Sequence, residues 1–313
     1  MSDFTQAQPG VRPSQGFQNP FQSQRFMKRF SVAVRLLIAV LLIAFAIFPV
    51  LWIISASLDN SNSLATQQLI PANAGFANYR RLFNQDPNFR FGELNYWNWL
   101  FNSIKVSGIT TILSLSLTTM AAYAFSRLRF AGRVTLLKGI LLIQVFPNLL
   151  AIVAIFLLVT QIGRIVPALG LNTHAGLIMV YLGGAMGMNI WLMKGFLDTI
   201  PRAIDESGMI DGASNFQIFW YLLLPLLRPV LTVVGILSFI GTYSDFIMAR
   251  ILLNDVDKYT LMVGLQIFTA GQFDKKWGVF AAGALIGAVP IMLIYLTLQD
   301  QIAGGLTAGA VKE

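Results

Sequence analysis

Val32-Ala-Val-Arg-Leu-Leu-Ile-Ala-Val-Leu-Leu-Ile-Ala-Phe-Ala-Ile-Phe-Pro-Val-Leu-Trp-Ile-Ile-Ser55 is a 24-residue run with a single charge, Arg35. A helix of this length rises far enough to cross the roughly 30 Å of a bilayer's hydrocarbon core. A cleavable leader puts its basic region and apolar core at the start of the chain. Here a polar stretch comes first, so the run reads as a retained span. Windows of the same character fall at 100–125, 136–160, 173–195, 226–250 and 277–299. Lipid offers no partner to an open backbone N–H or C=O, so each window is expected to be helical. The expected fold class is all-α: a polytopic membrane protein with six transmembrane helices between residues 32 and 299.

Composition points the same way. Of 313 residues 56% are hydrophobic and 12% charged, with a mean hydropathy of +0.66, against about 25% charge in a soluble domain. The absence of cysteine excludes disulfides, thiolate zinc sites, iron–sulfur clusters and cysteine nucleophiles. The one histidine, His174, begins the fourth window, where a hydrogen-bonding role is preferred to a metal site; no metal is expected. The net charge of +8 is read as topology rather than as nucleic-acid binding, because Lys and Arg are retained on the cytoplasmic side. Arg25, Lys28 and Arg29 precede the first window and Arg35 lies at its start, and Arg127, Arg129, Arg133 and Lys138 crowd the link after the second without an acid. Thirteen of the 22 Lys and Arg fall inside if both termini are cytoplasmic. Residues 1–31, rich in Gln, Pro, Ser and Gly, are expected to be a disordered cytoplasmic tail. Residues 300–313 form a second tail, also cytoplasmic.

Within the spans, small and polar residues are the devices of association. Gly183 with Gly187, and Gly283 with Gly287, read as packing faces. Ser114, Ser116, Thr118 and Thr119 make a polar sector in the second window. Gln144, Pro147 and Asn148 cluster in the third window, where the amides serve either packing or a wet pathway. Asp245, near the end of the fifth window, reads as a pathway group or as a cap on the span. Gln144, Asn148 and Asp245 are therefore the pathway candidates. Trp97, Trp99 and Trp277 suit an interfacial aromatic belt.

One polar segment is longer than a link requires: Asp198 to Pro225. Thr199 and Pro201 suit a helix start, Asp205 and Glu206 suit the positive end of its dipole, and Gly212 interrupts it. Ser214 and Gln217 then form a capping-box pattern for a second helix that closes at Pro225. Two short helices bent at Gly212 are expected. Ser207 and Gly208 are small enough for another surface to come close. A helix lying on lipid favours a basic polar face, and this one carries Asp205, Glu206 and Asp211, so a protein partner is preferred.

Glu206-Ser-Gly-x-x-Asp211-Gly212-Ala213, with Leu224-Pro225 later, resembles the EAA loop of the permease subunits of ATP-binding-cassette (ABC) importers. Ser207 and Gly208 stand where that pattern has two alanines. Trp99 to Gly108, Ala121 to Phe130, Gly170 to Gly176, Tyr259 to Gly264 and Gly305 to Lys312 are similar to the MalG-type permease family of maltose/maltodextrin importers. The likeness covers nearly everything from residue 32 onward.

The resemblance implies a type I ABC importer permease fold in the cell (inner) membrane. It implies a coupling loop at 198–225, with Asp205, Glu206, Ser207, Gly208, Asp211, Gly212 and Ala213 contacting the motor. It implies two separate ATP-binding subunits, a second homologous permease subunit of MalF type, and an extracytoplasmic sugar-binding protein. An outer loop at 251–276 would meet that binding protein through Asn254, Asp255, Gly271 and Gln272. The chain has no phosphate-cradling G-x-x-x-x-G-K-[ST] loop and no catalytic cluster, so it is expected to be non-catalytic and to bind no cofactor, with ATP and Mg used by its partners. Trehalose in place of maltose, or an ion-coupled secondary carrier, stand as alternatives.

Overall fold

The computed structural model describes residues 24–61, 68–84, 95–145, 150–270 and 275–308. The chain falls into two units, residues 1–52 and 53–313. Helix α1 (Gln24–Leu58) supplies the described part of the first. From Met27 to Val50 every side chain except that of half-buried Ser31 is exposed. A helix apolar on all sides is suited to lipid.

Among the described residues of the second unit the regular elements are helices, apart from an isolated bridge between Asp59 and Ala74. Its helices are α2 (Ala77–Leu82), α3 (Tyr96–Arg127), α4 (Arg133–Val145), α5 (Ile152–Ile165) and α6 (His174–Thr199). They continue as α7 (Ala203–Ile210), α8 (Asn215–Leu226), α9 (Arg228–Tyr243), α10 (Ile247–Leu252), α11 (Leu261–Gln266) and α12 (Trp277–Ala308). The side chains of Asn95 and Thr173 cap α3 and α6 by accepting from Asn98 N and Gly176 N.

Helix α3 is the axis of the unit, packed along α6 and α9. Ser103, Ser107, Thr110, Ser114 and Thr118 are all buried; their spacing of three and four residues puts them on one helical face. Small side chains let the helices approach closely, the means by which helices associate in lipid. Asn189 of α6 donates to Ser114 Oγ at 3.3 Å. The polar sector expected in the second span is thus largely a packing seam. Around the N-terminal half of α3, Tyr96, Trp99 and Val106 share a core with Leu177, Tyr243, Leu253, Leu261 and Val279. Around its C-terminal half, Ala122 joins Met193, Leu197, Ile218, Leu223 and Val234.

Three described helices are long and apolar enough to cross a membrane alone: Met27–Leu58, Tyr96–Arg127 and Trp277–Gln301. α6 meets the same test as a bent helix, as do α8 and α9 together across a 76° bend. The window 136–160 contains two helices, α4 and α5, rather than one continuous span; Pro147 and Asn148 lie outside the described residues. The window 226–250 is interrupted after Tyr243, where Asp245 starts α10 by accepting from Met248 N and Ala249 N, each at 3.1 Å. Those donors lack partners in the first turn of any helix.

The stretch expected as an outer loop, 251–276, is in good part core. Leu261, Val263 and Leu265 of α11 are buried. Gly264 lies so close to the Trp99 indole that a Cβ there would overlap the ring. Gly283 and Gly287 receive Leu265 and Leu261 in the same way, so that glycine pair packs helices as expected. Trp99 is 1% exposed and belongs to this core, not to an interfacial belt; Trp97 is exposed.

Candidate functional site

The 198–225 segment folds as a hairpin of α7 and α8 against the C-terminal ends of α3 and α6. Helix α7 ends in a Schellman arrangement: Ala213 N donates to Gly208 O at 2.9 Å and Gly212 N to Met209 O at 3.0 Å. This requires a left-handed residue at the turn, which Gly212 supplies with φ +82°. The capping box is present in full, with Gln217 N donating to Ser214 Oγ at 3.3 Å and Ser214 N to Gln217 Oε1 at 2.8 Å. Thr199 is not the cap of the hairpin: it ends α6, and its hydroxyl donates to Phe196 O. The second arm runs past Pro225 to Leu226, with a π-helical stretch over Ile218–Leu223.

Polar links seat the hairpin and the chain leading into it. Arg127 Nε lies 3.1 Å from Asp205 Oδ2, with both side chains less than a tenth exposed. The same guanidinium donates from Nη2 to Ile200 O at 2.8 Å. Asp198 holds Ser126 Oγ at 2.6 Å and Lys194 Nζ at 2.5 Å. Tyr123 adds a hydrogen bond to Asn215 O at 3.2 Å. In these links the acceptors belong to the hairpin or the chain leading into it, and Ser126, Arg127 and Tyr123 come from the last turns of α3; in return Arg202 Nη2 donates to Ser126 O at 3.5 Å. Below these links, Ile204 and Ala213 pack onto the Ile218, Leu223 and Leu197 core.

This seating separates the seven expected contact residues. Asp205 is buried on Arg127 and Gly208 is buried beneath Ile218 and Leu222, 3.0 and 2.9 Å from where its Cβ would stand. Both serve the hairpin itself and neither presents a surface. Ala213 is half-buried. Glu206, Ser207, Asp211 and Gly212 are exposed. The Glu206 carboxylate has no hydrogen bond or ion pair among the described residues. Met209 and Ile210 follow Glu206 by three and four residues on the same face of α7, and α8 exposes Phe216, Trp220 and Tyr221, all five at least 47% exposed. Phe216 and Trp220 stack with centroids 6.1 Å apart. An acidic group bordered by a large exposed apolar patch marks a protein-contact surface. The aromatic i, i+4 pair on α8 was the signal in the sequence for its second half.

At the opposite end, residues 254–260 are held by α3 and α6. Trp99 Nε1 donates to Val256 O at 2.9 Å, and Asn98 and Asn102 to Asp257 O at 2.6 and 2.9 Å. Asn102 also donates to Tyr259 O at 3.1 Å, and His174 Nε2 to Lys258 O at 2.9 Å. Asn172, at φ +58°, accepts from the backbone N–H of Asn254 and of Asp255. Asn254 and Asp255 are exposed on this fixed loop; Gly271 and Gln272 lie outside the described residues. His174 thus makes a hydrogen bond, and among the described residues no cluster of metal-ligating side chains occurs.

Two pathway candidates fall on described residues. Gln144 reaches Gly184 O at 3.4 Å and covers Gly187, joining α4 to α6. Asp245, besides capping α10, accepts from Tyr181 Oη at 2.8 Å and borders a cavity of about 570 Å³ between α5, α6, α9 and α10.

Long apolar helices packed on a polar seam, with a short helical hairpin at one end, define a multi-pass membrane-protein architecture. The same fold occurs in a chain of the crystal structure of a bacterial ABC transporter involved in the import of the acidic polysaccharide alginate. That match has TM-score 0.70 and 23% identity, over 90% of this chain and 99% of that one. A structure of bacterial alginate ABC transporter in complex with an alginate pentasaccharide-bound periplasmic protein matches at TM-score 0.62 and 16% identity, covering 88% and 95%. The chain belongs to the family of binding-protein-dependent transport system inner membrane components, whose sequence model matches residues 114–306. It is 44% identical over 271 residues to the maltose/maltodextrin transport system permease protein MalG of Vibrio vulnificus strain YJ016, covering 85% of this chain and 90% of the relative. The proteins of that name from Salmonella typhimurium and Escherichia coli K12 are 42% and 41% identical, over 90% and 88% of this chain and 97% and 94% of theirs.

Proposed function

We propose that the chain is the permease subunit of an importer for maltose or maltodextrins, powered by ATP and Mg used in two partner subunits. A second permease subunit of MalF type completes the pathway. In this reading both termini and the α7–α8 hairpin are cytoplasmic, and the 254–260 loop faces a sugar-binding protein on the other side.

The observation that carries the reading is the division of the acid pair: Asp205 is tied inward to α3 and Glu206 is left outward and unengaged. A partner that grips Glu206 through charge-assisted hydrogen bonds and packs on Met209, Ile210 and Phe216 moves α7 when it closes. The seat at Ser126, Arg127 and Asp198 passes that motion to α3 and α6 as a rigid-body displacement. The names of the curated relatives support the sugar class.

The test is reconstitution in vesicles with all partners, following labelled maltose. Uptake is expected only with ATP, both ATP-binding subunits and liganded binding protein together. Uptake by this chain alone along an ion gradient would establish a secondary carrier instead. Accumulation of trehalose but not maltose would move the substrate and leave the mechanism standing.

A further inference from the structure

The cavity bordered by Asp245 is lined by residues of α5, α6, α9 and α10 and by none of the hairpin, and its lining is chemically unusual for a membrane helix bundle. Ser238, Thr242 and Asp245 follow one another at i, i+4 and i+7 along α9 and its C-terminal end, which sets them on a single face. Tyr181 and Asn189 face them from α6, and aliphatic side chains of α5, α6 and α9 close the remainder. Polar groups in a largely apolar wall of this volume fit the pattern of a small-molecule site.

The polar atoms are not all used by the protein. All three hydrogen bonds to Asp245, from Tyr181 Oη, Met248 N and Ala249 N, go to Oδ2; Oδ1 accepts none among the described residues. Asn189 spends Nδ2 on Ser114 and keeps its carbonyl oxygen. Ser238 is 9% exposed, and its Oγ has no hydrogen-bond partner among the described residues. A buried hydroxyl without a partner is costly, and a ligand hydroxyl would supply one.

The lining contains a carboxylate and no Lys, Arg or His. Such a set accepts hydrogen bonds from a polyol and repels a carboxylate- or phosphate-bearing ligand. We propose that Tyr181, Asn189, Ser238 and Asp245 form a subsite of this subunit for a neutral oligosaccharide, which holds the sugar during its passage between binding protein and cytoplasm. The subsite deepens the transport reading above and rests on it. It adds a contribution by this chain to sugar passage that the hairpin, acting on the motor, does not provide.

The experiment measures maltose moved per ATP hydrolysed by the complete reconstituted complex. Asp245→Asn keeps an oxygen to cap α10, so the fold is retained. Losing a hydrogen bond to a charged group weakens binding roughly tenfold, and the maltose-to-ATP ratio is expected to fall by about that factor while binding-protein-stimulated ATP hydrolysis is unchanged. Ser238→Ala and Asn189→Ala, smaller changes, are expected to lower the ratio severalfold. An unchanged ratio in all three variants overturns the subsite and leaves the transport reading intact. A wild-type complex that hydrolyses ATP without moving any sugar overturns both.

Discussion

Arg127 and Asp205, 78 positions apart in sequence, meet at 3.1 Å with side chains 7% and 9% exposed. The pair joins the last residue of the central helix α3 to the first turn of α7. It fixes the hairpin's rotation as well as its position, because Asp205 turned inward places Glu206 outward.

Removing one member of a buried ion pair strands the other charge, at a cost of about 3–5 kcal/mol. Asp205→Ala is therefore expected to lower the thermal midpoint of the detergent-purified chain and to expose the 200–225 segment to protease. The double replacement Arg127→Met with Asp205→Leu should recover much of the loss. A lone Asp205→Ala that melts like wild type would remove the pair from the structural account.

Glu206→Lys carries the opposite expectation. Its carboxylate has no partner among the described residues, so the melting temperature should hold. In the assembled complex, binding-protein-stimulated ATP hydrolysis should fall at least tenfold, the loss anticipated for one charge-assisted contact of about 1.5–3 kcal/mol. Normal stimulation would detach this residue from the motor contact.

The hairpin's two glycines should respond differently. Gly212→Ala places a side chain at φ +82°, a strain of about 1–2 kcal/mol, yet nothing lies within 4 Å of the new methyl group. Gly208→Val pushes bulk into Ile218 and Leu222 and should wedge the arms apart. Coupled ATP hydrolysis measured side by side is expected to survive the first change better than the second.

Gly264→Ala drives a methyl group into the Trp99 ring and should cost about 1–3 kcal/mol as an overpacked core. Gly183→Ala, with open space around its Cβ position, is its control. Equal thermal midpoints for the two variants would contradict the packing of α11 on α3.

Features set by neighbouring residues were legible in the sequence. The Ser214–Gln217 box, the reversal at Gly212 and the apolar length of α1, α3 and α12 depend on contacts within one or two turns. Features set by distant residues were not. Nothing local says which of Asp205 and Glu206 turns inward; Arg127 decides that. Residues 254–266 look like a solvated loop because polar residues are frequent there, but Leu261 to Leu265 are buried on Trp99 and on the glycines of α12. Gly208 was legible as a close-approach position, and only the fold shows that the approaching surface is the hairpin's own second arm. The break after Tyr243 was half legible: Asp245 was recognised as a cap or a pathway group, and its geometry serves the first while bordering a cavity suited to the second.

The loop at 254–260 is fastened through four successive main-chain carbonyls, those of Val256, Asp257, Lys258 and Tyr259. Every residue type carries that oxygen, so the anchorage is indifferent to which side chains the loop displays. Mutation is free to rewrite the exposed lettering at Asn254 and Asp257 without loosening the clasp beneath, whereas the Asp255 side chain also caps the turn by accepting from Asp257 N at 3.3 Å. Under the proposed reading, a change of docking protein would retune this rim and leave its shape unchanged.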